Sequence, residues 1–340
     1  MTQAKDEISV SRVVDASTLT SENSAAAYPK SSFFKNPYLK ALRPKQWTKN
    51  LILFAAPLFS FKIGWLPFLE VLHAYILFCC VSSSFYLIND ILDVESDRRH
   101  PVKCKRPIAA GLVSIPTAIA MAVLLLGGAL SIGWITNLGV GFALSSYALL
   151  QIAYNLKLKH TVILDIVAIA TGFVLRAYAG AAATNTYLSS WFLLCTAMLA
   201  LFLGIEKRKA ELRHSRGGAG KRRAVLARYS LPMLSRMESV VTTGTIMSYA
   251  AWSAGPNLSG ASTHWMMLTL PLVVYGIFRY QLLSDPKEIA RRLSNSGDRG
   301  GKTERPEEIL LTDRPILFTV LIWVAMVALI LFLKQQGLIQ

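Results

Sequence analysis

Acidic side chains are scarce in this chain: 20 Asp and Glu stand against 36 Lys and Arg, and the formal net charge is +16. Charge of either sign is thin as well, at 16% of the 340 residues. With 53% hydrophobic residues, this is not the balance of an ordinary soluble domain. Cysteine is limited to Cys79, Cys80, Cys104 and Cys195. None belongs to a CxxC pair, so we expect four free thiols, with no disulfide framework and no thiolate metal site. The five histidines are scattered and build no HExxH helix. No tandem repeat of short period is visible. Met1 to Val10 lack the apolar core of a secretory signal peptide. The first 30 residues are rich in Ser, Thr and Ala, with mixed charge and no apolar run. We expect residues 1–38 to form a disordered cytoplasmic tail and residues 39–340 to form a membrane domain.

What the chain has in abundance is apolar runs of about 17–25 residues, the length that crosses a bilayer as a helix. About nine spans are expected, near 48–63, 68–88, 115–134, 138–155, 162–183, 188–205, 237–254, 265–283 and 316–334. The first is short and is interrupted by Pro57. With a cytoplasmic N-terminus, the connections after spans 2, 4, 6 and 8 are cytoplasmic. They hold Arg98, Arg99, Lys103, Lys105 and Arg106; Lys157 and Lys159; the dense run from Lys207 to Arg236; and Arg279 to Arg314. The opposite connections hold little beyond Lys62 and Lys334. This is a positive-inside pattern. It orients the chain in the plasma membrane with Gln340 outside. It also turns the basic charge from a nucleic-acid signal into one for anionic membrane lipids. Whether the chain forms a homo-oligomer is left open by the sequence.

The most informative stretch is Asn89-Asp90-Ile91-Leu92-Asp93-Val94-Glu95-Ser96-Asp97, where span 2 ends in acid. Asn89, Asp93 and Asp97 are four apart and Asp90 is three before Asp93. On a helix all four share one stripe, and Glu95 points elsewhere. Carboxylates on one stripe repel unless a cation or solvent screens them. Hard oxygens near phosphate-binding groups suit Mg²⁺; a solvated acidic helix end is the alternative. The loop Arg98 to Pro107 then supplies base. Carboxylates would hold a cation while Lys103 and Arg106 hold phosphate oxygens. Arg98 and Arg99 read as plain positive-inside charge.

Three further features break apolar runs. Arg43-Pro44-Lys45-Gln46-Trp47-Thr48-Lys49-Asn50 leads into span 1, with Lys45 and Lys49 one helical turn apart. It is either an interfacial anchor or a phosphate clamp with Asn50 lining the cavity. Tyr154-Asn155-Leu156-Lys157-Leu158-Lys159 ends span 4, and Asp165 lies just inside span 5. An ionisable group within a span usually faces a polar cavity, so Asp165 is expected to border the active one. Arg176 shares its helix face but lies about 16 Å away, too far to pair; its role stays open. Glu206-Lys207-Arg208-Lys209-Ala210-Glu211 ends span 6. Lys207 and Glu211 are four apart, as in a surface helix pair, but the cluster sits where a helix leaves the membrane, and we favour phosphate binding.

These motifs resemble the UbiA superfamily of intramembrane transferases, from about residue 39 to the end. The Asn89-Asp90-x-x-Asp93-x-x-x-Asp97 run matches that family's first aspartate motif, and Tyr154 to Lys159 matches its tyrosine-and-lysine motif. The resemblance implies an all-α, polytopic bundle with a lipid-open cavity, and Mg²⁺–diphosphate held by Asn89, Asp90, Asp93 and Asp97. The family's prenyltransferases usually carry a second aspartate motif where this chain has Glu206 to Glu211. With Arg43 to Asn50 and Lys103 to Gly111, that departure is similar to the group that transfers phosphoribosyl to decaprenyl phosphate in mycobacteria and corynebacteria. The implied substrates are 5-phosphoribosyl 1-diphosphate and decaprenyl phosphate, and the product is a precursor for cell-wall arabinan. Asp90, Asp93 and Asp97 would be catalytic through the metal. Lys45, Lys49, Asn50, Lys103, Arg106, Tyr154, Lys157, Lys159, Asp165, Lys207, Arg208 and Glu211 would line the substrate site. The rival readings are an aromatic prenyltransferase with a polyprenyl diphosphate donor, which a second acidic motif would favour, and a transporter, which would spread charge across the bilayer. A lipid-binding scaffold has no use for the acidic stripe.

The orientation is checked by cysteine labelling. A single cysteine near Gly217, in a chain otherwise freed of cysteine, should resist an impermeant reagent in right-side-out vesicles and react once they are opened. Reaction in sealed vesicles would overturn it.

Overall fold

The computed structural model describes residues 36–60, 64–100, 102–216, 224–256, 260–296, 309 and 313–339. Residues 1–35 of the expected tail, Lys62, Gly217 and its neighbours, residues near 300 and Gln340 lie outside the described residues; Pro37 and Tyr38, expected in the tail, instead open a helix. The regular elements among the described residues are all helical, with no strand among them. A short helix α1 (Pro37–Ala41) leads to a 3₁₀ run (Pro44–Phe54) and α2 (Ala55–Phe59). The long helices follow: α3 (Trp65–Leu92), with α4 (Val94–Arg98) at its end; α5 (Ile115–Thr136); α6 (Leu138–Leu156); α7 (Leu164–Ala183); α8 (Ser190–Arg216); and α9 (Leu231–Ser253). A 3₁₀ turn (His264–Thr269) opens α10 (Leu270–Ser284), then come α11 (Pro286–Ser296) and α12 (Arg314–Gln335).

Local chemistry sets the starts. Ser114, Asn137, Ser230 and Asp313 each accept a bond at their side-chain oxygen from a backbone N–H of the first turn of α5, α6, α9 and α12. Three of those helices carry proline at their opening positions, where its missing N–H costs nothing.

Six of the described helices are long and apolar enough to cross a membrane: Trp65–Leu92, Ile115–Thr136, Leu164–Ala183, Ser190–Arg213, His264–Ser284 and Arg314–Gln335. The expected spans at 138–155 and 237–254 are present as helices α6 and α9, which are not among those six. The expected span at 48–63 is a different object, 3₁₀ helix giving way to α-helix at Ala55. An 11-residue 3₁₀ run exceeds what its own geometry favours, so tertiary contacts hold it. Trp47 Nε1 donates to Ser83 Oγ at 3.0 Å, and Arg176 Nε donates to Asn50 Oδ1 at 2.6 Å.

Of four apolar cores among the described residues, the two largest run along the bundle. One joins Leu53, Phe78, Val81, Leu144, Tyr147 and Ala179, from the 3₁₀ run, α3, α6 and α7. The other joins Ile166, Phe202, Ile205, Leu234, Tyr280 and Ile316, from α7 to α10 and α12. Leu124, Ile135, Leu149, Val240 and Phe318 stand exposed on the outside, as lipid-facing positions should. Lipid offers helices no hydrophobic reason to associate, so close approach of small residues replaces it. Helix α7 shows this, burying Ala168, Ala170, Gly172, Ala177, Ala179, Gly180 and Ala181. At Gly180 a Cβ would stand 1.9 Å from the Leu53 carbonyl oxygen. That backbone has nowhere to go.

Gly180→Ala should therefore push the 3₁₀ run off α7 and destabilise the protein by about 1–3 kcal/mol. Melting in detergent reads the loss. Gly276→Ala, with nothing within 4 Å of the added carbon, should melt like the native chain.

Candidate functional site

The charged motifs collect at one end of the bundle. They lie at the C-terminal ends of α3, α6 and α8 and the N-terminal ends of α7 and α9, as short connections between antiparallel neighbours require.

The first group forms around the end of α3. Asp90 and Asp97 are buried, with side chains 3% and 2% exposed. A helix C-terminus disfavours a carboxylate, and burial disfavours it further, so cations must offset both. Arg106 does so for the pair: its Nη1 lies 3.0 Å from Asp90 Oδ1 and 2.5 Å from Asp97 Oδ2. Arg43 Nη2 bonds the same Asp90 oxygen, and its guanidinium lies 5.0 Å from the centre of the Tyr86 ring. Lys103 Nζ lies 3.9 Å from Asp97 Oδ1. Arg43 has a left-handed backbone (φ 55°, ψ 59°). Proline at 44 disfavours the right-handed helical region for it, and the turn aims its side chain back at α3. The acidic stripe divides here. Asp93 ends α3 and is exposed, Asn89 is half-buried, and Glu95 is exposed.

The second group ties α7 to α8. Asp165, fully buried, accepts from Arg208 Nε at 2.7 Å and from Tyr229 Oη at 2.7 Å. Arg208 Nη1 donates to Glu211 Oε2 at 2.5 Å. The Tyr229 hydroxyl also accepts from the backbone N–H of Ile163 at 2.7 Å. Ile163 has φ 71°, a strained value for a β-branched residue, and this bond helps to hold it. Burial, together with the bond to Asp165, raises the Tyr229 phenol well above its ordinary range, so it serves as a neutral donor. Tyr154 lies within electrostatic reach of Arg208.

A third group links α8 to α9 and α10. Lys209 Nζ donates to Glu206 Oε1 at 2.7 Å and to Glu238, and Gln281 donates to Glu238 Oε1 at 2.9 Å. Deeper in the bundle, Arg176 donates to Asn50, to the Gly172 carbonyl at 2.8 Å and to the Tyr147 hydroxyl at 2.7 Å. Asn50 also donates to Cys79 Sγ at 3.2 Å.

The candidate residues thus fall into two kinds. Asp90, Asp97, Asn50, Asp165 and Arg208 are buried and bonded to protein partners. Lys45, Lys157 and Asp93 are exposed, while Lys49, Lys103, Arg106, Tyr154, Lys159, Lys207 and Glu211 are half-buried. Sequence reasoning missed Arg43 and Tyr229. Arg43 had a signal, since an arginine before proline at a helix entry is turned out of the helix. Tyr229 had none, because its partner lies 64 residues away.

Oxygen donors at the end of α3 suit Mg²⁺, which takes one or two carboxylates and fills its shell with water and substrate phosphate. Among the described residues no cluster of three or more His, Cys, Asp or Glu is set to enclose a metal. Arg106 nevertheless shows that Asp90 and Asp97 can share one cation. The donor set therefore fits a metal held jointly with a phosphate.

The model of the UbiA prenyltransferase family matches residues 51–295. A decaprenyl-phosphate phosphoribosyltransferase of Corynebacterium glutamicum is 36% identical over 88% of this chain and 87% of its own length. One from Mycolicibacterium smegmatis is 34% identical over 92% and 97%. Among solved structures, a UbiA homologue from Archaeoglobus fulgidus, bound to DMAPP and Mg²⁺, superposes with a TM-score of 0.62 at 18% identity, covering 86% of this chain and 97% of that one. At that identity the likeness is one of fold.

Tyr229→Phe would leave Asp165 with one donor fewer and the Ile163 N–H without its acceptor. The expected cost is about 1–3 kcal/mol, read as a lower melting temperature. An unchanged melt would mean that water replaces the hydroxyl.

Proposed function

Because this chain belongs to the UbiA prenyltransferase family, a family of multi-pass membrane transferases, we propose that it transfers the 5-phosphoribosyl group of 5-phosphoribosyl 1-diphosphate to decaprenyl phosphate. The observation that carries this reading is the end of α8. Where the family's prenyltransferases usually place a second acidic motif, Glu206 and Glu211 are bonded to Lys209 and Arg208, which also hold Glu238 and Asp165, and Lys207 lies half-buried on the same stretch. These acids are committed to the fold's own ion pairs, so an incoming cation must break one of them to bind here. The names of the relatives agree with it. The rival prenyltransferase reading needs acid at this place that is not already held in the fold's own ion pairs.

The chemistry suits these residues. A phosphate oxygen of the lipid attacks C1 of the ribose. The C1–O bond to diphosphate breaks, and its electron pair leaves with the diphosphate. A phosphate monoester has a second pKa near ~6, so the nucleophile is already an anion and needs no general base. One displacement inverts C1. Asp90 and Asp97, with Asn89 and Asp93, would hold Mg²⁺, which supplies charge neutralisation for the leaving diphosphate. Lys45, Lys49, Lys103, Arg106, Lys157, Lys159 and Lys207 would share the diphosphate, the 5-phosphate and the lipid phosphate. Tyr154, Asp165, Arg208 and Glu211 shape the wall that positions them. The site would face the cytoplasm, with the C-terminus outside the plasma membrane. The product would serve cell-wall arabinan synthesis.

Labelled phosphoribosyl diphosphate, a polyprenyl phosphate and Mg²⁺ with the purified chain provide the test. Formation of labelled phosphoribosyl lipid is expected. Turnover of a polyprenyl diphosphate with an aromatic acceptor, and none with phosphoribosyl diphosphate, would overturn the proposal. Asp93→Ala and Asp97→Ala should both abolish turnover, with Glu95→Ala mild. Lys207→Ala should raise the KM for the sugar donor about ten- to a hundredfold, from loss of a charge-assisted bond worth about 1.5–3 kcal/mol. A change confined to the KM of the lipid would move Lys207 to the acceptor side.

A further inference from the structure

The guanidiniums of Arg43 and Arg106 take the place at Asp90 and Asp97 that a divalent cation needs. Asp90 Oδ1 accepts from both of them, and Arg106 Nη1 spans to Asp97. A carboxylate oxygen shared by two guanidiniums has little left for a third cation. The arginines are not locked in place. Each side chain is 29% exposed, whereas the carboxylates beneath them are 3% and 2% exposed. Both arise from flanking segments, Arg43 from the turn before the 3₁₀ run and Arg106 from the loop after α4. Neither arginine is anchored by a further ion pair among those described.

We infer that Arg43 and Arg106 are exchange partners. They hold Asp90 and Asp97 until a divalent cation arrives, then pass to the diphosphate that arrives with it. Arg43 thereby becomes a binding residue for the sugar donor. The inference rests on reading this end as a metal–diphosphate site, and deepens it. A buried carboxylate without a partner is strongly destabilising, so the arginines keep the site folded before substrate binds. A divalent cation alone must displace them and gains little. A cation with diphosphate displaces them onto new anionic oxygens, where bidentate geometry suits arginine. Cation and donor therefore bind together better than either binds alone.

The test uses the full chain in nanodiscs, with Mn²⁺ as a paramagnetic stand-in for Mg²⁺ and no lipid acceptor, so that nothing turns over. Mn²⁺ alone should bind Arg43→Gln/Arg106→Gln at least about tenfold more tightly than the native chain, since a charge-assisted competitor has been removed. Inorganic diphosphate with saturating Mn²⁺ should bind that variant at least about tenfold more weakly. The double variant is also expected to melt lower in chelator and to recover more than the native chain when Mn²⁺ is added. Arg106→Lys keeps the charge but not the span between two carboxylates. It should lie between the two in Mn²⁺ affinity, and it serves if the double variant does not fold. Unchanged or weaker Mn²⁺ binding in the variants would overturn the exchange and leave the arginines as structural partners. Diphosphate separates this from the wider reading. If diphosphate and Mn²⁺ behave as stated and no phosphoribosyl is transferred, the exchange stands and the assignment of the sugar donor falls.

Discussion

Charge buried in an apolar bundle has to meet opposite charge, and that requirement organises one whole end of this protein. Asp90 meets Arg43 and Arg106; Asp97 meets Arg106 and Lys103; Asp165 meets Arg208; Glu206 and Glu238 meet Lys209. Each pair joins segments that are separate in sequence or fixes the end of a helix. Arg43 ties the chain's entry to α3, Arg208 ties α8 to α7, Lys209 ties α8 to α9, and Arg279 with Asp313 ties α10 to the start of α12. Apolar faces hold helices together but are poor at fixing their height relative to one another. An ion pair buried in low dielectric tolerates little slippage, because breaking it strands a charge at a cost of about 3–5 kcal/mol. The register of this end is thus set by its charges.

That role limits what the same charges can do in chemistry. Arg208 is 1% exposed and bonded to two carboxylates, so it shapes the wall of a site. Lys45 and Lys157 are exposed, and Lys49, Lys159 and Lys207 are half-buried, so an incoming phosphate reaches them first. Arg43 and Arg106 belong to both classes. They are partly exposed cations laid over buried acids, and the acids are the groups a metal needs. Structure and chemistry draw on the same ion pairs there and nowhere else among the groups described.

Much of this was legible in the chain. The length and apolarity of the runs announced a helical membrane protein, and the run from Asn89 to Asp97 marked where α3 ends in acid. What failed to show follows from physics that is not local. A span expected at 48–63 assumed that apolar residues near a proline make a helix. Whether they make α or 3₁₀ helix was decided by Asn50 with Arg176 and by Leu53 with Gly180, and the first pair is 126 positions apart. The stripe of four polar residues assumed a helix running through Asp93, yet the chain ends one helix there and starts another. Asp90 and Asp97 go inside and Asp93 stays out. Arg176 was rightly denied Asp165 by distance, but its partners, Asn50 and Tyr147, lie on other helices and had no signature.

The balance of acid and base at the end of α8 bears on the choice of donor. A metal–diphosphate site works with carboxylates whose charge is left for the cation, and at the end of α3 exchangeable arginines preserve that charge. At the end of α8 the arrangement is of another kind. Lys209 is buried between Glu206 and Glu238, and Arg208 between Asp165 and Glu211, with little exposure through which a metal could compete. Those acids answer to the fold. A second cation would have to break one of these buried pairs to bind. Under the proposed reading, a donor charged at both ends would set its diphosphate at the end of α3, where the acids are covered only by partly exposed arginines, and would leave the buried pairs at the end of α8 intact.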